Sequence, residues 1–188
     1  MSQASSVPYK IAVLVYVFDD AGRLLLLRRA KPPNQDLYSP IGGKLEQGEG
    51  ESPYACALRE IHEEIEIQLT LDDIRLLGIV SERAFLGSGA AGGHAPAHWL
   101  MFCFEVTRRV NFPPRDMVEG RLEWIDPVAL GSLNIPKTDR EVIWPLVREH
   151  ATMLNPARRK HDGIFSVHID CTDDDRFQVT HEHPRQSR

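Results

Sequence analysis

The chain has 188 residues, with 22 Lys and Arg against 27 Asp and Glu, a formal net charge of −5, and 42% hydrophobic residues. That length suits one domain with a full hydrophobic core, and the composition excludes a wholly disordered chain. The mild acidity argues against general nucleic-acid binding, and no apolar run reaches the roughly 20 residues of a membrane-spanning helix.

Residues 1–8 are small and polar and are expected to fray; they lack the basic-then-apolar pattern of a secretory leader. Residues 10–18 and 23–29 are apolar blocks around the turn signal Asp19-Asp20-Ala21-Gly22, which reads as a hairpin of two buried strands. A loop at 31–36 and a short extended piece at 37–41 lead into Gly42-Gly43. Ser52 as N-cap and Pro53 at the first helical position start a helix running to about Ile65. Strands are expected at 74–83 and 98–106, around a small-residue loop at 87–96 that is expected to be mobile and is flanked by His94 and His98. A strand at 122–125 follows, then a helix over 138–150 with Thr138 or Asp139 near its cap, then strands at 164–170 and 177–181. The domain expected is 9–183 with a flexible tail at 184–188, of mixed α+β class around one central sheet. Three cysteines, Cys56, Cys103 and Cys171, are odd in number and lack metal spacing, which suits reduced thiols in a cytoplasmic protein. Cys56 reads as partly buried filler, His62 as exposed, and Trp99 and Trp124 as packing residues in strands.

The chemistry concentrates in 42–67. On the helix, Tyr54, Leu58, Ile61 and Ile65 share an apolar face, while Glu60, Glu63 and Glu64 gather on the other side beside Arg59. Like charges at this spacing repel, so the cluster calls for a cation. Mg²⁺ takes oxygen ligands from a few carboxylates and from substrate phosphates, and such ions activate water and clamp phosphates. The Gly42-Gly43 turn lets backbone groups approach a metal or phosphate closely. Taken alone, Arg-Glu-x-x-Glu-Glu reads more readily as a solvated helix face.

The whole stretch, however, resembles the signature of the Nudix hydrolases, Gly-x5-Glu-x7-Arg-Glu-U-x-Glu-Glu-x-Gly-U with U a bulky aliphatic residue. Gly43 matches the first glycine, Arg59-Glu60-Ile61-His62-Glu63-Glu64 the core, and Ile67 the last aliphatic position. The loop is two residues too long: Glu49 has the right spacing from Gly43, Glu51 the right spacing to Arg59. Glu66 replaces the final glycine that usually ends the helix. Arg28–Asn34, Gly42–Glu46, Glu119–Trp124 and the run from Leu133 to Asp139 look like the 8-oxo-dGTP diphosphatase (MutT-like) type, so the similarity spans 9–150.

The resemblance implies an α/β/α sandwich with a central mixed sheet. It implies Mg²⁺, with Mn²⁺ able to substitute, bound by Glu60, Glu63 and Glu64 with the Gly42 carbonyl as a further ligand. Arg59 would orient a carboxylate. Glu119 would be an added ligand or base, or else a solvated loop carboxylate, with Glu123 the weaker candidate. Lys44 would meet a phosphate or stay exposed. Arg28 and Arg29 alternate along a strand, so one faces the cleft. Asp139 would read the base edge or simply cap its helix, and Tyr38, where other members have Trp, would offer a stacking face. The reaction implied is hydrolysis of a diphosphate linkage, a nucleoside triphosphate going to monophosphate and pyrophosphate. Sugar nucleotides, dinucleotides or ADP-ribose are the alternative substrates, and a non-catalytic nucleotide-binding module is the alternative class. The partner is thus a small-molecule nucleotide, with no nucleic acid and no membrane; the oligomeric state stays unassigned.

Overall fold

A computed structural model describes residues 9–31, 34–86, 95–96, 98–155, 157–159, 162–173 and 176–184. Residues 87–94 of the expected mobile loop, His94 among them, the start at 1–8 and the tail at 185–188 lie outside them, while Ala95–Pro96 of that loop pairs with Phe85–Leu86. The strands are β1 (Lys10–Tyr16), β2 (Leu24–Arg29) and β3 (Tyr38–Ser39), then, after helix α1 (Pro53–Ile65), β4 (Ile74–Arg83), β5 (Phe85–Leu86), β6 (Ala95–Pro96), β7 (Trp99–Val106), β8 (Arg115–Asp116) and β9 (Gly120–Ile125). Helix α2 (Trp144–His150) precedes β10 (Phe165–Asp173) and β11 (Arg176–His183).

The strands divide between two main sheets, where a single central one was expected. A mixed five-stranded sheet runs β1-β7-β4-β10-β11 and an antiparallel four-stranded sheet runs β3-β2-β9-β8. The expected hairpin of β1 and β2 survives only as its turn. The Asp19 carboxylate accepts from the Arg23 amide at 2.7 Å, and a lone bridge joins Phe18 to Leu24. Beyond it β1 pairs with β7 and β2 with β9, in different sheets. The reason is burial. Leu24 to Leu27 are all buried, as are Val13, Val15 and Tyr16, so each arm needs cover on both faces. The odd-numbered residues Val13, Val15, Leu25 and Leu27 pack under α1 with Ala57, Ile61 and Ile65. The even-numbered Tyr16, Leu24 and Leu26 pack into the second core with Ile143 and Val147. These two cores are the two faces of the expected sandwich.

The second helix departs from expectation at its start. The chain is already helical at Lys137, and Asp139–Ile143 is a π-helical turn that closes with the Trp144 amide donating to the Asp139 carbonyl. Thr138 has helical dihedrals and makes no capping bond, so neither it nor Asp139 caps the helix. Pro145 supplies the cause: it has no N–H to offer, and its ring would clash with the carbonyl four residues back in an ordinary α-turn, which the wider turn relieves. At the far end Arg75 donates to the His150 carbonyl at 3.3 and 3.2 Å, and Glu105 accepts from the Thr152 amide and hydroxyl at 3.1 and 2.9 Å. Among the described residues no helix is long and apolar enough to cross a membrane.

Candidate active site

Local sequence sets α1 as expected. Ser52 is extended, and its hydroxyl accepts from the Ala55 amide at 3.1 Å. At the other end Glu66 takes the left-handed conformation (φ 59°) that a glycine would adopt freely, and its amide donates to the His62 carbonyl. Arg115 braces this end, ion-paired with Glu66 at 3.2 Å and donating to the Glu64 carbonyl at 2.6 Å.

The buried face of α1 is not centred on Tyr54 and Leu58. It runs through Cys56, Ala57, Ile61, Glu64 and Ile65, while Tyr54 is exposed and sets its edge against Phe104. The small residues Cys56 and Ala57 let the helix pack closely, and 57, 61 and 64 share one face at helical spacing. This corrects the expectation that the three glutamates lie together away from the core. Glu64 is only 5% exposed, and the Glu60 and Glu63 side chains are 13% and 56% exposed. Cys56 is fully buried, and burial pushes its thiol up to about 12, which leaves it unreactive. His62 is exposed, as expected.

The glycine pair fits close approach. Gly42 has φ +135°, and a Cβ there would strike the Val13 carbonyl; a Cβ on Gly43 would strike the Glu60 carboxylate. Glu64 Oε1 faces the Gly42 amide at 3.5 Å, while Glu64 Oε2 is buried with no partner among the described residues. Glu119, exposed just before β9 in the other sheet, acts on Glu60 and Glu64 electrostatically. Gly120 (φ +157°) lets that strand end press against the Arg28 carbonyl, and the Glu119 carbonyl accepts from Ala30 at 2.8 Å. Burial first, then the neighbouring Glu60 and Glu119 charges, push Glu64 up to about 8. Burial also raises Glu60, although Arg59 opposes it.

Arg59 organises the periphery. Its Nε and one terminal nitrogen grip Glu51 at 2.9 and 3.0 Å, and the other terminal nitrogen reaches Glu60 at 2.8 Å and Glu63 at 3.1 Å. This bidentate bond holds Glu51 down at about 2. Of the two loop glutamates it is therefore Glu51, at the seven-residue spacing, that meets Arg59. Glu49 closes an exposed 3₁₀ turn, Gln47–Glu49. Among the described residues no three His, Cys, Asp or Glu side chains converge into a ready ligand shell. The chemistry of the donor set nevertheless suits a hard divalent cation: a desolvated, unpartnered carboxylate oxygen on Glu64, with the charges of Glu60 and Glu119 beside it.

Two residues before Gly42, Pro40 lines an apolar pocket between the sheets. Leu24, Leu26, Tyr38, Pro40, Leu130, Ile135 and Trp144 line it, and Tyr16 and Asp139 bring polar groups. Burial, then the Glu82 charge, pushes Asp139 up to about 7. The Tyr38 hydroxyl donates to Glu123 Oε2 at 3.1 Å, so Glu123 serves Tyr38. Of the alternating arginines, Arg29 acts electrostatically on Glu64, while Arg28 faces outward beside Tyr38 and pairs with Asp36 at 3.6 Å. The Lys44 side chain is exposed and lies 6.0 Å from the Trp99 ring. Trp124 packs as expected, with its indole N–H donating to the Phe112 carbonyl at 2.8 Å. Glu82 escaped the sequence reading; it is the lone carboxylate of its strand, and its neighbours Ser81 and Arg83 gave it the look of a solvated strand end.

The NUDIX domain model matches residues 8–149. The mutator MutT protein of Bacillus halodurans superposes with a TM-score of 0.64 at 24% identity, over 92% of this chain and 97% of that one. The NUDIX domain of Shewanella oneidensis NrtR, solved with ADP ribose, gives 0.59 at 15% identity over 79% and 92%. The dihydroneopterin triphosphate pyrophosphohydrolase of E. coli gives 0.51 at 24% identity over 76% and 99%. At these identities the likeness speaks for the fold; the domain match, together with the box residues assembled around Gly43, identifies the chain as a member of the NUDIX family, a hydrolase of nucleoside diphosphate derivatives.

Proposed function

We propose that this hydrolase cleaves a nucleoside triphosphate, oxidised bases included, to the monophosphate and pyrophosphate with Mg²⁺ as its metal. The carrying observation is the juxtaposition of two unlike sites: Glu60, Glu64 and Glu119 beside Gly42, and next to them an apolar pocket with one buried acid, Asp139. Mg²⁺, or Mn²⁺ in its place, supplies Lewis acidity and an activated water when bound. Glu60, Glu64 and Glu119 would hold it with the Gly42 carbonyl, and the exposed Glu63 serves as an outer carboxylate. Arg59 keeps Glu60 oriented through the bond that Glu51 anchors. Glu64, whose burial favours a proton and whose Oε2 has no partner among the described residues, would be the group to exchange a proton with the attacking water.

Asp139 reads the base edge. It can donate when protonated and accept when ionised, and a value of about 7 makes both forms available near neutral pH. Tyr38, fixed by Glu123, offers its ring to the base, and Lys44 by the glycine turn, with Arg29 on the carboxylate side, offers charge to the phosphates. The functional domain is 9–183, and three free cysteines suit a cytoplasmic location. The test is a substrate panel with Mg²⁺, identifying the nucleotide consumed and the product released. Monophosphate and pyrophosphate from a triphosphate support the reading. Turnover confined to ADP-ribose, sugar nucleotides or dinucleotides replaces the substrate class, and tight binding without turnover replaces the enzyme with a nucleotide-binding module.

A further inference from the structure

Beyond the carboxylates, at the start of β1 and β7, two lysines share one indole. Lys10 is the register partner of Trp99, and its ammonium lies 5.0 Å from the ring centroid; the Lys44 ammonium lies 6.0 Å from the same ring. Lys44 arrives there because residues 41–45 run antiparallel along the free edge of β1, with Lys44 bridging Ala12. Among the described residues no carboxylate pairs with either ammonium. Two like charges within 6.0 Å of one indole, with no carboxylate among the described residues against either, make this end of the β1 edge locally cationic and suited to an anion.

Their position makes this more than a surface patch. Along 38–44 the order is Tyr38 and Pro40 on the pocket, Gly42 and Gly43 at Glu64 and Glu60, then Lys44. Trp99, Lys10 and Lys44 lie on the sheet face that also carries Tyr16 and Cys103 into the second core, the face on which the pocket opens. The other register neighbour of Trp99 is Glu82, so that flank of the ring is acidic and only the lysine flank suits an anion. A base in the pocket with its phosphates at the carboxylates leaves the far end of the substrate over the two lysines.

We infer that Lys10, Lys44 and Trp99 form a subsite for the terminal phosphoryl groups of the substrate, on the opposite side of the carboxylates from the base pocket. This rests on the triphosphate reading above and adds a direction to it: the nucleoside end lies toward Asp139 and the leaving phosphates toward Lys10. A neutral sugar in place of those phosphates gains nothing from the ammoniums, so the subsite favours triphosphates over sugar nucleotides.

The test uses the full-length protein with Mg²⁺ and inorganic tripolyphosphate as the probe, followed by calorimetry, for wild type, Lys10→Gln and Trp99→Phe. Lys10 is partly exposed, and an unchanged melting temperature verifies that its variant folds. Loss of one charge-assisted contact weakens tripolyphosphate binding about tenfold in Lys10→Gln. Trp99→Phe retains an aromatic face and changes it less. In turnover assays Lys10→Gln raises KM for the nucleoside triphosphate by a similar factor, with kcat unchanged and KM for a nucleoside diphosphate linked to a neutral sugar unaltered. Equal tripolyphosphate affinity for wild type and Lys10→Gln overturns the subsite, even in an enzyme that hydrolyses triphosphates. Conversely, weakened binding in an enzyme that turns over no triphosphate keeps the anion subsite and discards the substrate assignment.

Discussion

The carboxylate end of the cleft comes from one stretch of chain, residues 42–64, plus Glu119, whereas the pocket end gathers Leu24, Tyr38, Leu130, Asp139 and Trp144 from distant segments. The two ends also handle charge differently. Arg59 spreads one positive charge over Glu51, Glu60 and Glu63, while Asp139 is raised by burial and by the Glu82 charge. A site written in contiguous sequence is thus tied down by short-range ion pairs. A site assembled by packing is tuned by desolvation, and its properties follow the fold.

The largest effect separates the glutamates within the first end. Glu64→Gln is expected to lower kcat by about three orders of magnitude, the scale of losing a group central to charge stabilisation, while the exposed Glu63→Gln costs about tenfold or less. Equal losses in steady-state assays would break the ranking by burial. The same variant tests the electrostatics. Because burial raises Glu64 from 4.5 to about 8, its neutral form belongs to the fold, and metal-free protein loses that contribution as pH rises from 4.5 through 8. Glu64→Gln should therefore melt higher than wild type in a chelator at pH 8, with the gap closing toward pH 5.

Next in size is the Arg59 anchor. Glu51→Gln removes a bidentate bond from a mostly buried pair and is expected to cost about 1–3 kcal/mol in urea unfolding at pH 7, with a tenfold or larger fall in kcat. Here the sign is reversed. Glu51 is depressed to about 2, so its contribution holds above pH 4.5 and is lost as pH falls toward 2. A Glu49→Gln control should change neither quantity, since Glu49 sits in the exposed turn.

A smaller, selective effect is expected at the pocket. Asp139→Asn should change the ratio of kcat/KM between two purine triphosphates by about tenfold while leaving the Mg²⁺ requirement intact. In wild type that ratio should shift between pH 6 and pH 8, as Asp139 passes through about 7, and it should be flat in the variant. A ratio that is pH-independent in both proteins would remove Asp139 from base selection. The smallest effect belongs to the lengthened loop. Deleting Glu49 and Gly50 preserves the Glu51-to-Arg59 spacing and should change stability by less than about 1 kcal/mol, with activity largely kept; circular dichroism melts and turnover check this.

The α1 end was legible because its determinants are local. A cap, a proline and a glycine pair act over a few residues, and the spacing from Glu51 to Arg59 is a helical fact wherever the helix packs. The family resemblance rested on that same continuous stretch. What packs against the helix is not local, and it decided that Cys56 and Ala57 rather than Tyr54 face the core and that Glu64 is buried while Glu63 is not. Tertiary packing also pulled the expected hairpin into two sheets, chose Arg29 over Arg28 to face Glu64, and brought Glu82 toward Asp139 and Lys10 onto Trp99. Periodicity can state which residues share a face, but the face that is buried, and the charges that meet across it, depend on contacts between segments far apart in the chain. Thus the sequence determined the helix, its cap and the identity of its carboxylates, while the fold alone decided which of them lose their water, because desolvation is a property of the surrounding protein.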